Sequence, residues 1–185
     1  VRRIDADTTL AVITQAARGL QKAHDSTVIH RDLKPENIFI TKTPEGELVV
    51  KILDFGLAKF YEQTGDEVSP RLTREGALFG TPAYMSPEQA KGQGEVDLRS
   101  DLWALGCIVY ECLTGTTVWN VEQGVAMILA QIAGAPVPKP SKLRPDLPPQ
   151  FDAWFAKALE RDPQKRFQTS RLLAEALSVA LTPAT

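Results

Sequence analysis

Apolar positions follow helical periods near the start of the chain and through its second half, and alternate as in strands only briefly between. Leu10, Ile13, Ala17, Leu20 and His24 recur at helical spacing, which predicts a helix over 8–25 with Asp7 or Thr8 as its cap. Ile38–Thr41 and Leu48–Ile52 are β-rich runs separated by Thr43-Pro44-Glu45-Gly46, a hairpin pattern. Residues 57–85 carry no period and are broken by Gly65, Pro70, Gly76, Gly80 and Pro82; an irregular stretch that long inside a compact domain is usually functional. Beyond Ser86 the pattern turns helical. Residues 98–113 have 11 apolar side chains of 16, spread all round, which predicts a helix buried on every face. Amphipathic helices are expected over 120–133, 150–160 and 169–181, with stripes such as Phe151, Trp154, Phe155, Ala158 and Leu159. The prolines from Pro136 to Pro149 read as an extended surface connection between helices. The class is α+β, mostly helical, with one small hairpin whose flanking polar loops hold the candidate chemistry.

The 185 residues suit a single packed unit, and 43% apolar with 24% charged residues excludes a disordered chain. A net charge of −2 offers no basic excess to hold a nucleic-acid backbone or an anionic membrane. Cys107 and Cys112 have neither metal nor redox spacing and are expected as small hydrophobes in the central helix, as suits a reducing compartment. The N-terminus has no hydrophobic signal core, and the most apolar stretch, Leu98 to Leu113, contains Arg99, Asp101 and Glu111 and is too short to span a bilayer. Val1 in place of Met is expected of a segment of a longer protein.

Three phrases carry the chemistry. Residues 30–37 read His-Arg-Asp-Leu-Lys-Pro-Glu-Asn, residues 54–56 Asp-Phe-Gly, and residues 80–88 Gly-Thr-Pro-Ala-Tyr-Met-Ser-Pro-Glu. Asp32 is a loop carboxylate suited to orient a hydroxyl and accept its proton. Lys34 can set an ammonium beside a phosphate. Asn37 and Asp54 offer the oxygen ligands that Mg²⁺ prefers. The 16 residues between these two hold the hairpin, which returns the chain to where it left. In order and spacing the phrases resemble the catalytic loop, metal-binding motif and activation-segment end of protein kinases of the Ser/Thr type, most of all bacterial members with eukaryotic-like catalytic domains.

That resemblance runs from about residue 8 to about 181. It implies a protein-kinase-like C-lobe, with the N-terminal lobe absent. Residues 1–185 would be a partial kinase domain: catalytic loop 28–37, activation segment 54–88, helical subdomain 86–181. The implied reaction moves the γ-phosphate of ATP, with Mg²⁺ or Mn²⁺, to Ser or Thr hydroxyls of protein substrates. Asp32 and Lys34 would be catalytic. Lys34, Asn37, Phe39 and Asp54 would bind the cofactor, Asn37 and Asp54 through the metal and Phe39 at the adenine, although Ile38-Phe39-Ile40 also reads as plain core. Thr81 would belong to the substrate platform. Arg31 would pair with a phosphorylated loop residue, for which Ser69 and Thr73 are candidates ahead of Thr64, Thr73 being favoured with Glu75 partly mimicking a second phosphate, although the stretch also reads as a solvated polar loop. His30 and Phe55 would pack together beneath the site, Asp101 would accept hydrogen bonds from catalytic-loop backbone, and Glu88 would pair with Arg166. The kinase domain is expected in the cytoplasm, whatever anchors the full-length protein.

Two other readings compete: a pseudokinase-like scaffold, and a small-molecule phosphotransferase on the same fold. The presence of Asp32, Lys34, Asn37 and Asp54 argues against the first, and Ser86-Pro87-Glu88 with Gly80–Tyr84 against the second. No G-x-G-x-x-G phosphate cover occurs in residues 1–185. The chain alone is therefore expected to bind ATP poorly, to transfer no phosphate, and to expose an apolar surface where its own missing N-terminal lobe, a partner in this sense, would sit.

Overall fold

The computed structural model describes residues 3–55, 82–92 and 96–182. The expectations for Gly56, Thr64, Ser69, Thr73, Glu75 and Thr81 lie outside these residues. Among those described, helix α1 covers Ala6–Asp25, strands β1 and β2 cover Ile38–Lys42 and Leu48–Ile52, and short helix α2 covers Pro87–Lys91. Helices α3, α4, α5 and α6 follow at Arg99–Thr114, Val125–Gly134, Gln150–Ala158 and Ser170–Leu181.

Helix α1 begins two residues before the expected start, and its cap is Asp5 rather than Asp7 or Thr8: the Asp5 carboxylate accepts from the Thr8 backbone N–H at 2.8 Å. Acidic and hydroxyl residues crowd this stretch, and the choice among them falls to the one with extended backbone, Asp5 at φ −69° and ψ 163°. The opposite face of α1 buries Ile13, Ala16, Ala17 and Leu20.

The hairpin pairs Ile38 with Ile52 and Lys42 with Leu48, and its turn closes through Gly46 at φ +90°. Gln15 of α1 grips the middle of β2, donating to Leu48 O at 3.0 Å and accepting from the Val50 N–H at 3.1 Å. One side chain thus satisfies two ladder groups on the strand edge that β1 leaves unpaired.

Helix α3 is the centre of the body. Fourteen of its 16 residues are buried, including Leu102, Trp103, Leu105, Ile108 and Leu113. Trp103 stacks near Trp119 and Tyr110 on Phe155, so aromatic contacts tie α3 to the segment that follows it and to α5. Cys107 is buried, Cys112 is half-buried, and both are free thiols. Helix α4 starts at Val125, not at 120: Gly124 sits at φ +83°, and the Asn120 side chain bonds the Glu122 N–H in a local turn that competes with helix. Helix α6 is capped by Thr169 and packs on α1, where the Ser170 hydroxyl donates to Ala17 O at 2.9 Å.

Candidate active site

The site is assembled by the hairpin and by the N-terminal end of α3. Leu53 N–H donates to Asn37 O at 2.8 Å, one step beyond the Ile38–Ile52 pair, so the two strands deliver Asn37 and Asp54 side by side. The Asn37 amide then donates to Asp54 Oδ2 at 3.2 Å. Asn37 is buried, and its Oδ1 has no hydrogen-bond partner among the described residues. A buried carbonyl oxygen without a partner, next to a carboxylate, is the donor chemistry that a hard divalent cation needs. Mg²⁺ takes only one or two protein oxygens and completes its shell with phosphate and water. The pair therefore fits it, although no group of three or more His, Cys, Asp or Glu exists among the described residues.

Asp32 and Lys34 leave the preceding loop side by side. Lys34 Nζ lies 3.5 Å from Asp32 Oδ2, with 31% and 46% of the side chains exposed. Both face solvent enough to meet a substrate. Two residues of this region hold left-handed backbone without being glycine, Arg31 at φ +65° and Asp54 at φ +61°. Such strain costs about 1–3 kcal/mol and persists only where neighbours enforce it.

Those neighbours are identifiable. Asp101, buried in the first turn of α3, accepts from His30 N–H at 2.9 Å and from Arg31 N–H at 2.8 Å. His24 Nε2 lies 2.8 Å from the same carboxylate. Helical spacing alone places His24 on an apolar stripe; in the structure it is a buried polar partner of Asp101, a role nothing in the period signals. His30 has both ring nitrogens engaged. Nε2 donates to Leu53 O at 2.8 Å, and Nδ1 accepts from Asp32 N–H at 3.3 Å. The ring is thereby occupied as a bridge between the two motifs, and it meets Phe55 edge-on at 5.0 Å between centroids.

Glu88 and Arg166 form a bidentate pair at 2.7 and 2.8 Å. Burial alone would raise the Glu88 carboxyl, but the Arg166 guanidinium holds it below the usual range. Ser100 also donates to Glu88, at 2.8 Å. Phe39 is 52% exposed and Ile40 45%, so this strand is not plain core. Three contacts lay beyond the sequence: Tyr84 donates to buried Glu111, Ser100 reaches Glu88, and Gln89 Nε2 donates to Arg31 O at 2.7 Å. Gln89 could have been noticed as the fourth residue of a Ser-x-x-Gln capping box.

The protein kinase domain matches residues 2–177. Serine/threonine-protein kinase PknB of Mycolicibacterium smegmatis is 40% identical over 161 residues, which is 87% of this chain and 24% of that protein. Serine/threonine-protein kinase PknH of Mycobacterium tuberculosis is 39% identical over 173 residues, 94% of this chain and 26% of that protein. The chain thus spans about a quarter of the length of these relatives. The crystal structure of the Mycobacterium tuberculosis PknI kinase domain superposes with a TM-score of 0.70 at 25% identity, over 97% of this chain and 57% of that one. A match across nearly the whole chain, on a fold that unites the two motifs, makes this chain a member of the protein kinase domain family, homologous to bacterial Ser/Thr protein kinases.

Proposed function

We propose that this chain supplies the catalytic loop and substrate-binding lobe of a kinase that moves the γ-phosphate of ATP to Ser or Thr hydroxyls of proteins. The observation that carries this is a pair of contacts, Lys34 to Asp32 at 3.5 Å and Asn37 to Asp54 at 3.2 Å, in two segments that the His30 ring bridges. Phosphoryl transfer asks little covalent work of a protein; it asks for position and for charge. Asp32 accepts the hydrogen bond of the incoming hydroxyl and takes its proton. Lys34 holds Asp32 in place and sets positive charge where the transferring group gathers negative charge. Asn37 Oδ1 and the Asp54 carboxylate would hold Mg²⁺, which neutralises the phosphates when bound. Phe39 meets the adenine, Thr81 belongs to the peptide platform, and Arg31 pairs with a phosphorylated Thr73.

The exposed side chains Phe39, Ile40, Leu53 and Phe55, 37–52% accessible, all lie on the hairpin or just after it. They support a second lobe seated there and carrying the phosphate cover that residues 1–185 lack. Residues 1–185 alone then bind ATP weakly and do not transfer phosphate. The test is incubation of the intact protein with labelled ATP and a generic basic protein. Phosphate on Ser and Thr is expected, with a loss of at least ~10²-fold in Asp32→Asn. No transfer at all would favour a scaffold, and transfer to small molecules only would favour the third reading.

A further inference from the structure

We infer that Gln89 is a positioning residue: it clamps the peptide plane between Arg31 and Asp32 and so ties the aim of Asp32 to the seating of helix α2. The inference rests on the reading of Asp32 as the group that meets the acceptor hydroxyl. A peptide unit is planar, so the Arg31 carbonyl and the Asp32 N–H turn together. Both ends of this plane are held by side chains. Gln89 Nε2 donates to Arg31 O at 2.7 Å, and Asp32 N–H donates to His30 Nδ1 at 3.3 Å. The preceding plane is held by Asp101, which accepts the Arg31 N–H at 2.8 Å. Arg31 at φ +65° would relax toward ordinary backbone if these holds were released. Relaxation would rotate the Cα–Cβ bond of Asp32 away from the site.

The Gln89 head is itself oriented. Its Oε1 accepts from Ser86 N–H and from the Ser86 hydroxyl, each at 3.1 Å, which turns Nε2 toward Arg31. Ser86 and Gln89 form the capping box of α2, immediately after Pro82–Tyr84. The Glu88–Arg166 pair fixes the same helix to the body. Any displacement of α2 would therefore withdraw the donor from Arg31 O.

Two substitutions separate clamping from capping. Gln89→Glu keeps an acceptor for Ser86 N–H and removes the donor to Arg31 O. Gln89→Lys keeps a donor and removes the acceptor. Amide hydrogen exchange on the chain is the first readout. At least 10-fold faster exchange at Asp32 is expected in Gln89→Glu, and near wild-type protection in Gln89→Lys. The reverse order, or unchanged exchange in Gln89→Glu, would overturn the clamp. Should Gln89→Glu fail to fold, Gln89→Met, which also lacks the donor, takes its place: faster exchange at Asp32 in Gln89→Met than in Gln89→Lys supports the clamp, and equal exchange in the two overturns it. In the intact protein, Gln89→Glu is expected to lower kcat at least 10-fold with KM for ATP within about twofold; unchanged kcat would overturn the positioning role. If the intact wild type transfers no phosphate, the kinase reading fails, while the exchange comparison still decides the clamp.

Discussion

Arg166 has five N–H donors, and five hydrogen bonds leave it: two to Glu88, and one each to the carbonyls of Glu160, Arg99 and Arg161. Its guanidinium also lies 5.0 Å over the Trp103 ring. A fixed planar fork fills such a site and an ammonium does not, so Arg166→Lys is not conservative here. Glu88→Ala would leave a fully enclosed cation without its counter-charge. A loss of about 3 kcal/mol is expected, read as a lower midpoint in urea at unchanged m-value. The pH dependence follows from the same pair. The Glu88 carboxyl is held below its ordinary value of 4.5, so its contribution is fully present above pH 4.5 and is lost as pH falls through the lowered folded value. Glu88→Gln should therefore flatten the acid limb of a stability–pH curve and leave its neutral-to-basic limb with unchanged shape. At this scale the sequence was readable where the family resemblance implies partners, as for Glu88 with Arg166. It was silent for His24, because a histidine at helical spacing gives no sign of what it will face.

Helix α3 shows what a packed element tolerates. Gly106 faces α5 so closely that an added Cβ would lie 2.7 Å from Leu159 Cδ1 and 3.0 Å from Ala158 Cβ. Alanine favours helix over glycine by about 1 kcal/mol, but overpacking costs typically ~1–3 kcal/mol, and the Ala158 side of the contact has no flexible end to yield. Gly106→Ala is thus expected to lower the thermal midpoint despite its better helix propensity. The thiol of Cys107 in α3 is inert for the same reason of enclosure, and Cys112 is half-buried. Burial pushes Cys107 upward from its ordinary range and Cys112 to about 11, so neither is a thiolate at neutral pH. A thiol reagent should label Cys107 only in denaturant, and prompt labelling of Cys107 in the native chain would contradict the packing. The period of apolar residues located this helix within a residue at each end. It overran the start of α4, because a local side-chain turn at Asn120 and the backbone of Gly124 outweigh an apolar pattern there.

Across the whole molecule the apolar surface is uneven. Phe39, Ile40, Leu53 and Phe55 are exposed beside the site, whereas the other exposed large hydrophobics, such as Met127, Leu143 and Val179, lie far from them in sequence. A chain with such a face is expected to self-associate. Replacing Phe39 and Ile40 together by Ser and Thr should reduce light scattering of concentrated chain, and unchanged scattering would place the sticky surface elsewhere. No helix among the described residues is long and apolar enough to cross a membrane. The sequence by itself determined the class of fold, the presence of the hairpin, the buried central helix and the residue types of the candidate chemistry. These are local quantities: periods, turn residues and motif spacings act within a few residues of chain. Beyond the pairs that the resemblance implied, only the tertiary structure decided which groups share a hydrogen bond across long stretches of sequence. His24 meets the Asp101 carboxylate from 77 residues away, and Gln89 reaches the Arg31 carbonyl from 58. Such partners are chosen by how α1, α2 and α3 pack, because a hydrogen bond depends on distance and direction in space and carries no memory of separation along the chain.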